Sequence, residues 1–172
     1  MVKILRVLSE SEGRRDDATA VCFRVRSLPQ SLIRQEGWPR TIRFNGYGDY
    51  QRLRGEVAKI LMEVTGRPHS LQEVAVHEAL ANALECRDGQ ARNQTARIKF
   101  NRVGNRLIVR VKTSRIGVAG NAILRRLRSQ PEDMLSFGED ASMGRGIPMM
   151  LSMSHKMTYN SEGTEVLLAW KL

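Results

Sequence analysis

The chain has 172 residues and a formal net charge of +10, from 28 Lys and Arg against 18 Asp and Glu, a length that suits one domain with a core able to stand without cross-links. Its two cysteines, Cys22 and Cys86, are too few for a disulfide framework, Met1 to Leu8 is too short and too charged for a signal peptide, and no run approaches the roughly 20 apolar residues of a membrane helix, so the expectation is a protein of the reducing cytoplasm with no membrane partner. The basic excess points to anionic partners, but aromatics make up only 5% and the basic residues are scattered along the whole chain, so a dedicated nucleic-acid surface is poorly supported.

In chain order, Val2 to Leu8 and Thr19 to Arg26 have strand character and are separated by a polar loop. Residues 1–40 are read as an N-terminal extension: an added strand layer, a homodimer contact or a linker. Thr41 to Phe44 is a short strand. Tyr50, Leu53, Val57, Ile60, Leu61 and Val64 recur at helical spacing, with Asp49 as N-cap and Gly66-Arg67-Pro68 as stop. Ser70 with Glu73 forms a capping-box pattern that opens a second helix running to about Arg87. Thr95 to Arg102 and Arg106 to Thr113 form a hairpin about Gly104-Asn105, one face apolar and the other largely basic. Ala119 to Ser129 is a short helix, Pro131 to Met143 a loop and Ile147 to His155 a methionine-rich helix. Met157 to Asn160 and Thr164 to Trp170 close the chain as a hairpin. Grouped helices beside neighbouring hairpins predict an α+β, two-layer sandwich: a mixed, mostly antiparallel sheet with helices on one face.

The second helix carries the most informative pattern. Glu78 and Asn82 are four residues apart and share a face with Leu71, Val74 and Ala81, while Val76, Leu80, Ala83 and Leu84 form another. Such a helix is packed on both sides, or packed on one and lining a pocket on the other. A carboxylate and an amide there either reach water or serve a hydrated cation with phosphate. Gly144-Arg145-Gly146-Ile147-Pro148 has a second pattern: either a tight turn into a helix, or backbone N–H groups and a guanidinium offered to an anion. No P-loop, zinc spacing or third Rossmann glycine occurs. Met149, Met150, Met153 and Met157 read as core filler or as a soft binding surface.

Taken in order, these segments resemble the ATP-binding domain shared by gyrase, histidine kinases and their relatives (the Bergerat or GHKL fold). The nearest likeness is to the bacterial anti-sigma factors that act as serine kinases, and it covers residues 41–172. The helix holding Glu78-Ala-Leu-Ala-Asn82 is similar to that family's N box; the resemblance implies that Glu78 is the catalytic base and Asn82 the magnesium ligand. Gly144-Arg145-Gly146 resembles the second glycine box, which holds the phosphates, and Pro131 to Met143 falls where the ATP lid stands. Gly163-Thr164 resembles the terminal box, where Thr164 would help hold adenine. One motif departs: of the family's Asp-x-Gly-x-Gly only Gly117 survives, Thr113 stands in place of the Asp, and Arg115 replaces the first glycine. The resemblance implies ATP and magnesium as cofactors, both weakened by Thr113. It also implies protein partners: a sigma factor, a STAS-type antagonist, or both. A domain that keeps the fold and acts only through protein contact is the other expectation.

Overall fold

The computed structural model describes residues 36–84, 94–130 and 145–172. The two early strand candidates, the 131–143 loop, both cysteines and Gly144 lie outside the described residues. The described residues form nine elements: β1 (Arg40–Asn45), α1 (Tyr47–Thr65), α2 (Leu71–Leu84), β2 (Thr95–Val103), β3 (Arg106–Thr113), α3 (Gly120–Ser129), α4 (Gly146–Ser152), β4 (Lys156–Tyr159) and β5 (Glu165–Lys171). The five strands form one sheet in the order β1-β2-β3-β5-β4, antiparallel at every described pairing. This is the expected α+β sandwich, and the parallel component of a mixed sheet does not occur among the described residues.

Period-two alternation decides which side of the sheet is buried. Ile42 and Phe44, Ile98 and Phe100, Val109 and Val111, and Val166, Leu168 and Trp170 all point inward and are almost wholly buried. Val57 and Leu61 of α1, Val76, Leu80 and Leu84 of α2, and Met150 of α4 close over them in one core. Met150 and Met157 are buried and Met149 and Met153 half-buried, as filler would be. Each large apolar side chain taken fully out of water stabilises the fold by about 1.5–3 kcal/mol.

The outer side is the opposite in character. Register lines up Arg43, Arg97 and Lys112 in one row across β1, β2 and β3, Lys99 with Arg110 in the next, and Arg106 with Lys171 at the far end. Between them, Ile108 faces Ala169, with Leu167 two residues along β5.

Two helix starts differ in an instructive way. Asp49 was expected to be the N-cap of α1, but the helix begins at Tyr47, after Gly46. Asp49 acts from within the first turn instead, accepting the Asn45 backbone N–H at 3.0 Å and pairing with Arg52. At α2 half of the capping box forms as read, the Ser70 hydroxyl accepting from the Glu73 N–H at 3.3 Å; the Glu73 carboxylate reaches one residue further back and accepts from the His69 N–H at 2.9 Å.

The short strand β4 is held from its far side by α3. The Asn121 side-chain amide donates to the Tyr159 carbonyl (2.9 Å) and accepts from the Tyr159 N–H (3.0 Å), imitating a neighbouring strand. Burial pushes the Tyr159 phenol up to about 12. Asn121→Ala strips both partners from a half-buried backbone unit, at about 1–3 kcal/mol. Chemical denaturation should show that loss, with faster hydrogen exchange at Tyr159 and little change in β2 and β3.

Candidate functional site

Helix α2 is packed on one side and open on the other. Ala75, Val76, Ala79, Leu80, Ala83 and Leu84 are buried. On the other face Leu71, Val74 and Asn82 are exposed and Glu78 is half-buried. Of the two arrangements that the sequence left open, packing on one side is the one that forms. The open side borders a cavity of about 370 Å³ between α1 and α2, lined in part by Glu78, Ala81, Glu73, His77 and Arg54.

Glu78 and Asn82 meet directly: the Asn82 amide donates to Glu78 Oε1 at 3.3 Å. The first residue of α4 lies against both. A Cβ placed on Gly146 would sit 2.2 Å from Glu78 Oε1 and 2.4 Å from the Asn82 amide nitrogen, so only a glycine brings the α4 backbone this close. Arg145, the N-cap of α4, is exposed beside this contact. The Glu78–Asn82 pair and Gly146, picked separately from the sequence, are thus brought together.

The second group gathers where the chain crosses itself. The Val118 N–H donates to the Gly163 carbonyl at 3.2 Å. A Cβ on Gly117 would fall 1.7 Å from the Glu162 carbonyl oxygen, and one on Gly163, whose φ is +67°, 1.8 Å from that of Val118. The Thr113 N–H donates to the Thr164 carbonyl at 3.0 Å, so these two residues are direct neighbours. The Thr164 hydroxyl accepts from the Asn160 amide at 3.0 Å and donates to Glu162 at 3.3 Å. The Thr113 hydroxyl donates to the Ala83 carbonyl at 2.9 Å and accepts from the Arg115 N–H at 3.1 Å. That bond ties the crossing to α2, one residue beyond Asn82.

On sequence grounds His77 is set aside because it fits no zinc-site spacing. It is buried, with its Nδ1 2.9 Å from the Tyr50 hydroxyl and its Nε2 3.7 Å from Glu73 Oε1, too far for a hydrogen bond. The i, i+4 spacing of Glu73 and His77 was the available signal. Burial and then the Arg54 charge lower the His77 pKa from its ordinary 6.5, while Glu73 works the other way.

The residues fit a nucleotide unevenly. Glu78, Asn82 and Gly146 offer a carboxylate, an amide oxygen and a backbone that a ligand can approach closely. Among the described residues no three His, Cys, Asp or Glu side chains could hold a metal ion, so a cation here would need phosphate oxygens to complete its shell, as magnesium commonly does. At the Thr113 end position 113 itself offers no carboxylate, and the Thr113 hydroxyl is already engaged on both sides; the carboxylate described there is that of Glu162, on the Thr164 hydroxyl.

The chain matches the histidine kinase-like ATPase domain family over residues 49–170, and it belongs to that family. None of the curated proteins matches it. No described helix is long and apolar enough to cross a membrane.

The two glycine contacts should respond differently to an added methyl. At Gly146 the obstacles are the ends of two side chains that can turn away. Gly146→Ala should therefore change stability by about 1 kcal/mol or less while separating Glu78 from Asn82. At Gly163 the obstacle is backbone and φ is positive, so Gly163→Ala should cost at least about 2–3 kcal/mol. Thermal melts of the two variants compare them directly. His77 sets a pH dependence: below pH 6.5 the unfolded chain takes up a proton that the folded chain resists. The stability due to neutral His77 is present above that pH and is lost as pH falls toward the folded pKa. The thermal midpoint of His77→Gln should fall less between about pH 7 and 5.5 than that of the unaltered protein.

Proposed function

We propose that this protein is an ATP-binding regulator of the anti-sigma type, a protein-serine kinase that phosphorylates an antagonist protein in a partner-switching pathway. The observation that carries this reading is the meeting of Glu78, Asn82 and Gly146 at a point where the two side chains, as they stand, leave no room for a Cβ. Asn82 would hold magnesium, and the Gly146 backbone the phosphates, with Arg145 and Gly144 beside it. Glu78 would accept the proton of the attacking serine hydroxyl. Gly117, Thr113 and Thr164 would border the base. Magnesium-bound ATP supplies the transferable phosphoryl group and neutralises its charge. The protein's own part is to position that group and exclude water, as is usual for phosphoryl transfer.

A second reading has a specific observation in its favour. Thr113 replaces the carboxylate expected at the base, and its hydroxyl is spent on Ala83 and Arg115. Without that acceptor the domain would hold nucleotide weakly or not at all, and would act by binding a sigma factor or STAS-type antagonist alone.

Calorimetric titration with ATP separates the two. The kinase reading expects weak binding that requires magnesium and falls roughly ten- to a hundredfold in Asn82→Ala, the equivalent of one hydrogen bond to a charged group. Unchanged binding in Asn82→Ala would remove Asn82 from the site. No binding at millimolar nucleotide would leave the second reading.

A further inference from the structure

We propose that the outer face of the sheet is a docking surface for an acidic protein segment, one that presents carboxylates around a few apolar side chains. This surface lies on the far side of the sheet from α2, and the inference stands whether or not the domain binds nucleotide.

The argument begins with register. Arg43 is paired with Arg97, Arg97 with Lys112, Lys99 with Arg110, and Arg106 with Lys171. Like charges directly opposite each other on one face destabilise a sheet, so folding alone gains nothing from four such pairs. Of these seven residues only Arg110 has a described carboxylate within 4 Å, Glu165 at 3.9 Å. All but Lys99 are exposed. The scatter of basic residues in the sequence is thus resolved by the fold into one positive field, which raises the local concentration of an anionic partner.

The kind of partner follows from what lies among the charges. Ile108, Ala169 and Leu167 are adjacent and only half-buried. An apolar centre with a charged rim is the plan of a protein–protein interface. The described residues of this face include no aromatic side chain, so it has no stacking platform for bases. A second copy of the same face is excluded by charge, since positive rows would meet positive rows.

The test uses the full chain and fluorescence anisotropy at several salt concentrations. Four labelled probes are compared: a peptide of about twenty residues built from Glu, Leu and Ala, a poly-glutamate of equal length, a single-stranded RNA and a duplex DNA. The Glu/Leu peptide should bind tightest. The combined variant Arg43→Gln, Arg97→Gln, Lys99→Gln should weaken it at least tenfold, with a thermal midpoint no lower than that of the unaltered protein because like-charge pairs have been relieved. Ile108→Ser with Leu167→Ser should weaken the Glu/Leu peptide several-fold and leave poly-glutamate unaffected. Tighter binding of RNA or DNA would overturn the proposal in favour of a nucleic-acid surface. Equal binding of the two peptides would reduce it to unspecific attraction, and no peptide binding would remove it. If Glu10→Gln, Glu12→Gln, Asp16→Asn and Asp17→Asn together tightened probe binding tenfold, the occupant would be the chain's own acidic segment and not a partner.

Discussion

The contact between Gly146 and the Glu78–Asn82 pair is the constraint on which the site depends. A hydrogen bond between a carboxylate and an amide one helical turn apart is ordinary. What singles it out is that the backbone of another helix is pressed onto it with no space for a methyl group. The fit sets how close α4 comes to α2 at this point, and the apolar face of α2, buried on the sheet, holds the helix from behind. The chain crossing at Gly117 and Gly163 does the same at the other end, and the Thr113–Ala83 hydrogen bond joins the two ends through α2.

Much of this was legible in the sequence because it rests on local periodicity. Alternation gave the strands, Gly104-Asn105 gave the turn, and the Ser70–Glu73 spacing gave the start of α2. Glu78 and Asn82 were visible as a pair because four residues make a helical turn. The rest depends on residues distant in sequence. Thr113 could be aligned with a missing carboxylate, but its bond to Ala83 lies 30 residues away. His77 has its hydrogen-bond partner in Tyr50, on a different helix. Asp49 looked like a cap because caps are short and polar, yet its partner is the end of β1, which the helix pattern does not contain.

The charge distribution shows how register turns a weak sequence signal into a spatial one. Along any one strand an outward basic residue or two is ordinary. Only pairing of β1, β2 and β3 in their particular register brings these residues side by side. The same alternation fills the core on the other face. The two sides of the sheet are therefore coupled: a slip of one residue would bury arginines and expose phenylalanines together.

The grip of Asn121 on Tyr159 also bears on how the molecule can associate. A strand at the border of a sheet offers unpaired backbone groups to any extended chain, including another copy of itself. Here β4 has only four residues, and the outward N–H and carbonyl at Tyr159 are taken by a side-chain amide from α3. That border is closed at this point to growth by strand addition. Assembly that continues the sheet from one molecule into the next is blocked at Tyr159 by a single asparagine side chain.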